Sequence, residues 1–166
     1  MSPSPPADPL ASLAGVRLKG PWDAAQVAGF LAEERSPLRL ALIGEQGFPL
    51  VVSLWFRFEG DVLWCATHER SLVARRLAVD PRVGFEVSLN DPPYCGVRGQ
   101  GRVEIVRAAG PATLEQLLQR YLGGTDSALA KWLLSRADGE LALRIRPNWI
   151  SSWDFSDRMP SAAPRR

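Results

Sequence analysis

The chain has 166 residues, 46% hydrophobic and 23% charged, which suits one compact domain with an ordinary core and excludes collagen-like, mucin-like and coiled-coil architectures. Its 14 Gly and 14 Pro exceed average usage without reaching the low-complexity range, so the fold is loop-rich. A net charge of +2 argues against a basic field for nucleic acid, and the longest uncharged run, Gln46 to Phe56, is too short for a membrane span.

Residues 1–20 form a Pro-, Ser- and Ala-rich lead-in. Met1-Ser-Pro-Ser-Pro-Pro lacks the basic and apolar regions of a signal peptide, so a cytoplasmic location is expected. A single domain is expected over residues 21–155. It opens with an amphipathic helix that places Trp22, Val27, Phe30 and Leu31 near one face, has Pro21 in its first turn and ends before Pro37.

Strand signals follow. Leu38, Leu40 and Leu42 alternate, Gly47-Phe-Pro49 turns the chain, and Leu50, Val52, Leu54, Phe56 and Phe58 line one face of the next run. Glu59-Gly60-Asp61 makes a hairpin turn into a strand whose alternating set is Val62, Trp64 and Ala66. Ser71 to Val79 is a short helix stopped by Asp80-Pro81.

Val83, Phe85, Val87 and Leu89 mark another strand, turned by Asn90 to Pro93. Val97 to Val106 is a long strand whose Gly99 and Gly101 imply a bend or a close backbone approach. Pro111 starts a helix from Ala112 to Leu122, and a second helix runs from about Asp126 to Arg136. Leu141, Leu143 and Ile145 alternate into Pro147, Trp149 to Phe155 closes the domain, and residues 156–166 form a tail. No internal repeat is present. Short, mostly hairpin-linked strands with a few helices predict an α+β fold, mainly β: a small antiparallel barrel decorated by helices.

Cys65 and Cys95 have no CxxC spacing, so neither a disulfide framework nor a zinc ribbon is indicated, and both are expected to fill space. A lone histidine, His68, excludes His-rich metal centres. Without a GxSxG motif it is read as a loop residue rather than a triad member. No paired carboxylates or activated nucleophile stand out, so no catalytic residue and no metal site are assigned.

Gly47-Phe-Pro49-Leu-Val-Val-Ser-Leu-Trp-Phe56, Gly60-Asp-Val-Leu-Trp-Cys-Ala-Thr67, the step from Ser71 through Leu77 to Asp80-Pro81-Arg-Val83, and Tyr94-Cys-Gly-Val97-Arg-Gly-Gln-Gly-Arg102 stand in an order that resembles the pyridoxamine 5'-phosphate oxidase-like, FMN-binding split-barrel family. The resemblance covers roughly Pro37 to Ile105. Leu118 to Gly124, Arg144 to Pro147 and Ser152 to Phe155 resemble the tail of its uncharacterised bacterial branch. It implies a homodimer with flavin mononucleotide (FMN) at the subunit interface and an oxidoreductase acting on a small molecule of unspecified identity.

By the same resemblance, the backbone of Val52, Ser53 and Leu54 runs along the flavin ring with Trp55 or Phe56 nearby. Thr67 and Ser71 approach the cofactor tail, and Tyr94, Gly96, Val97 and Trp153 come from the second subunit. Trp22 and Trp132 are assigned to packing. The sequence departs from the family where basic residues are usual: it has Leu72 and Val73 after Ser71, and Phe56 in place of a lysine. Losing two charge-assisted hydrogen bonds of about 1.5 to 3 kcal/mol each would weaken binding by roughly two to four decades unless replaced.

A replacement is legible. Ser71 is a helix N-cap candidate, and Arg70, Arg75 and Arg76 crowd a turn where acidic residues are usual, as they would around an anion. Alternatively these arginines are solvated or paired with Glu69 and Asp80. Two other ligands fit the same fold. A deazaflavin has an acidic tail that would also favour Arg75 and Arg76, and a haem or other planar ligand would have only His68 as a histidine ligand. A nucleic-acid barrel is disfavoured by aromatics that alternate into the core.

Overall fold

The computed structural model describes residues 13–159. Residues 1–12 of the lead-in and 160–166 of the tail, with Arg165 and Arg166, lie outside the described residues. The chain is α+β. Its strands are β1 (Arg17–Lys19), β2 (Leu38–Ile43), β3 (Pro49–Leu54), β4 (Arg57–Glu59), β5 (Val62–His68), β6 (Arg82–Ser88), β7 (Cys95–Val106) and β8 (Glu140–Asp154). The helices are α1 (Ala24–Glu33), α2 (Leu72–Val79), α3 (Gly110–Leu122) and α4 (Ala128–Leu134).

One sheet runs in the order β3-β2-β6-β7-β8-β5-β4, antiparallel throughout, with β1 added parallel to β8. Its two end strands, β3 and β4, are consecutive in the chain and joined only by Trp55 and Phe56. A flat sheet would hold its edges several strand spacings of nearly 5 Å apart, so this link forces the sheet to curl until they meet. Among the described residues no ladder joins β3 to β4, and the barrel is therefore split at that seam.

The inward faces of β2, β6, β7 and β8 supply Leu38, Leu40, Leu42, Val83, Phe85, Val87, Val97, Val103, Leu143, Ile145 and Ile150, all buried. Val27 and Leu31 of α1 and Val73 and Leu77 of α2 join this core. A second, smaller cluster forms where Leu114 and Leu118 of α3 and Ala130 of α4 pack on Trp55 and Ala66.

Several expectations need correction. α1 begins at Ala24 rather than around Pro21, because Asp23 caps it: its side chain accepts from Gln26 N at 2.9 Å and the Gln26 side chain accepts from Asp23 N at 2.9 Å. The run from Leu50 to Phe58 is broken at the seam into β3 and β4. On β5, Leu63 and Cys65 face the barrel core, while Ala66 packs under α3 and α4. With both faces covered, alternation does not mark the inside. The two final segments are one strand, β8, which passes through Pro147 at a register shift opposite Gln100 and Gly101. β1 lies within the lead-in.

The hairpin turn reads correctly: Gly60 and Asp61 have φ of 57° and 64°, the left-handed pair of a tight primed turn. So does the Gly99 position, where a β-carbon would stand 2.4 Å from the Phe85 ring and 2.6 Å from the Trp149 carbonyl.

Candidate functional site

The step from β5 to α2 collects hydrogen-bond donors. Ser71 is the N-cap of α2, and its Oγ accepts from Ala74 N at 3.0 Å and from the Thr67 hydroxyl at 2.9 Å. Both acceptor positions of Ser71 are thereby used, which leaves its hydroxyl hydrogen to donate elsewhere. The Leu72 and Val73 amides occupy the first two helical positions, where no intrahelical acceptor exists. These donors and the positive end of the helix dipole form a cradle suited to a phosphate. The Leu72 side chain is exposed beside it, and the Val73 side chain belongs to the core, so each offers only its backbone.

The neighbouring arginines are arranged by the main chain. Arg75 Nη1 turns back toward the cradle and donates to the Arg70 carbonyl at 2.9 Å. Arg76 donates to the Ile43 and Gly44 carbonyls at 3.0 and 3.2 Å, which pins α2 to the end of β2. The acids that might have paired with them are taken by other partners. Glu69 is held by Arg107 at 2.6 Å, and Asp80 by Arg82 at 2.7 Å. The Arg82 hydrogen bonds hold the Asp80 carboxyl at about 2, and the Arg107 hydrogen bond lowers that of Glu69.

Val52, Ser53 and Leu54 lie on β3, an edge strand paired only with β2 among the described residues, which leaves its outer backbone edge to a ligand. Val52 and Leu54 pack toward the core, and Ser53 faces outward. The strand starts beside Leu72 and the turn after β2, the neighbourhood of the cradle. The Trp55 ring is stacked on Tyr121 at 5.1 Å and 11°, within the helical cluster, and Phe56 is fully buried.

The remaining predicted residues sit elsewhere in the protomer. Gly96 is opposite Trp153 on the neighbouring strand, the Tyr94 carbonyl accepts from Phe155 N, and the Arg98 guanidinium lies 5.6 Å from the Trp153 ring centroid. Val97 is core and presents no side chain there. Thr67 is opposite Leu141 near the start of β8, and Trp153 is near its end, about 40 Å of strand contour away. The two sets thus lie toward opposite ends of β8.

One ring nitrogen of His68 is engaged and the other lies close to Gly139. Nδ1 accepts from Arg70 N at 3.2 Å, and a β-carbon on Gly139 would stand 2.4 Å from Nε2. No group of His, Cys, Asp and Glu able to hold a metal occurs among the described residues. No helix there is long and apolar enough to cross a membrane.

Sequence reasoning missed the outer face of β3, β2, β6 and β7, away from the helices that cover β5. Ladder register sets Val51, Ala41, Gly84, Gln100 and Trp149 in one row, with Ser53, Arg39, Glu86, Arg98 and Ser151 beside it. Small residues at Ala41 and Gly84 recess this face into cavities of about 530 and 410 Å³. The only sequence signal was the outward half of each alternating strand.

No family model matches the chain, and no curated protein matches it. Solved structures do. A conserved hypothetical protein of Mycobacterium tuberculosis aligns with a TM-score of 0.72 at 25% identity over 93% of this chain and 97% of that one. An F420 reductase aligns with a TM-score of 0.62 at 27% identity over 73% of this chain and 93% of that one. A Listeria innocua protein whose name ties it to pyridoxamine 5'-phosphate oxidase aligns with a TM-score of 0.56 at 14% identity over 74% and 91%. The chain is a split-barrel protein of the pyridoxamine 5'-phosphate oxidase-like fold. In this split barrel, Leu72, the residue after the helix cap, shares a recess with Pro49 and Leu50 at the start of β3.

Proposed function

We propose that this split barrel is a flavin-dependent oxidoreductase, acting as a homodimer on a small-molecule substrate. The observation that carries the reading is the cradle of the Ser71 hydroxyl, held by Thr67, and the Leu72 and Val73 amides, with Leu72 beside the start of β3. A phosphate-bearing tail fits these donors. The backbone of Val52 to Leu54 would face the ring edge, and Arg75, already turned toward the cradle, would add a cation.

When bound, FMN supplies the hydride chemistry, and the protein's work is to bind, orient and exclude water. In this reading Tyr94, Gly96 and Trp153 of a second copy close over the ring, which accounts for their distance from Thr67 within one protomer. Cytoplasmic residence fits a protein with a buried free thiol at Cys65.

A deazaflavin is the second reading, supported by the 27% identity to an F420 reductase. Haem is less well supported, because His68 is the single histidine of the sequence and its Nδ1 already accepts from Arg70 N.

Purified protein titrated with FMN and, separately, with F420 should show saturable binding to one of them, and light scattering should give twice the chain mass. Replacing Ser71 and Thr67 together by Ala and Val should weaken that binding by about tenfold or more. Absence of binding to either cofactor, or a monomer that binds tightly, would reject the reading.

A further inference from the structure

Arg82, Arg102 and Arg146 are register partners on three adjacent strands: Arg82 lies opposite Arg102, and Arg102 opposite Arg146. All three are exposed. Strand alternation sends Arg82 to the same outer face as Gly84 and Glu86, and Arg102 to the same face as Arg98 and Gln100. Antiparallel neighbours have Cα atoms about 4.5 to 5.5 Å apart, and like charges directly opposite are destabilising. A row of three guanidiniums therefore costs stability in the free protein.

The row is not neutralised from within. Asp80 binds Arg82, and its field also reaches Arg102. Among the described residues the Arg102 and Arg146 side chains have no hydrogen-bond or ion-pair partner. The nearest acid further along β7, Glu104, is taken by Arg144 at 3.3 Å. Of the three, only Arg82 has a carboxylate partner among the described residues.

The row also borders a cavity. The recess of about 530 Å³ is lined by Arg82 and Arg102 together with Gln100 and Asn148. Ala41 and Gly84 keep its floor low, since even an added β-carbon on Gly84 would meet neighbours only at 3.7 Å. Guanidiniums at its rim and side-chain amides within it are the donors that recognise phosphate or carboxylate, with Arg able to bind both oxygens of one group.

We propose that the Arg82–Arg102–Arg146 row and the recess beside it form a binding site for a small ligand carrying more than one anionic group, phosphate or carboxylate. The site is distinct from the cradle at Ser71, and its existence does not depend on the flavin reading.

Calorimetric titration of the full chain at low salt, with pyrophosphate in one arm and citrate in the other, tests this and separates the two sources of charge. Saturable binding of at least one probe is expected. It should weaken about tenfold or more for each arginine removed in Arg102→Gln and Arg146→Gln, while Arg102→Lys with Arg146→Lys should keep part of it. These exposed replacements relieve like-charge repulsion, so thermal melting of the variants should match or exceed that of the parent. Titration with FMN should be unchanged in them. Failure of both probes to bind, equal binding in the Gln variants, or a loss that instead follows Arg75→Ala and Arg76→Ala would overturn the proposal.

Discussion

Tyr121 of α3 accepts the Phe56 amide hydrogen through its hydroxyl at 3.2 Å, at the two-residue link where the chain crosses from one edge of the sheet to the other. Its ring stacks on Trp55 in the same link. Desolvation raises the Tyr121 pKa, so the group stays a neutral phenol. One side chain thus satisfies a buried donor exactly where the split barrel has no ladder to do so.

Tyr121→Phe should keep the stacking and orphan the Phe56 amide. The expected loss is about 1 to 3 kcal/mol in urea denaturation with an unchanged m-value. An undiminished stability would mean that water reaches the seam.

Gly99→Ala forces a β-carbon to within 2.4 Å of the Phe85 ring and 2.6 Å of the Trp149 carbonyl, whereas Gly84→Ala meets only contacts of 3.7 Å. The first should cost about 1 to 3 kcal/mol or more, and the second should melt close to the parent. Equal effects in thermal melts would contradict the register at β6, β7 and β8.

Burial raises the Glu140 carboxyl above 4.5, against the opposing pull of His68 and Arg136. A raised folded-state value means that the folded chain holds its proton more tightly than the unfolded chain. Its contribution to stability is full below the unfolded value and is lost as pH rises through the folded one. Glu140→Gln should therefore melt at or above the parent near neutral pH, with the margin closing on acidification toward 4.5. Melting curves across that range check the sign.

Cys65 is fully buried, and its thiol is pushed up by desolvation; Cys95 is partly exposed and is raised for the same reason, with added repulsion from Asp154. A thiol reagent at mildly alkaline pH should label Cys95 slowly and leave Cys65 untouched until the protein is denatured. Rapid labelling of two thiols in the native state would show that the barrel opens.

The sequence by itself determined the strands and caps whose physics is local. Alternation at Leu38, Leu40, Leu42 and at Val83, Phe85, Val87 marks the inside because their other face meets no helix. Ser71 announces a helix start, and Gly60-Asp61 a tight turn, through backbone preference alone. The resemblance named the fold from the same segments. Tertiary structure alone decided the rest. β5 is covered on both faces, so its alternation points nowhere, and α3 with α4 had to be in place to explain Trp55 and Ala66. The partners of Arg76 and Glu69, at Ile43–Gly44 and Arg107, depend on which distant segments meet the two ends of the β5–α2 step. Arg82, Arg102 and Arg146 are far apart in sequence and become neighbours only through register across β6, β7 and β8. Charge patterns along one chain cannot reveal that, because the distance between strands is set by the ladder and not by sequence separation.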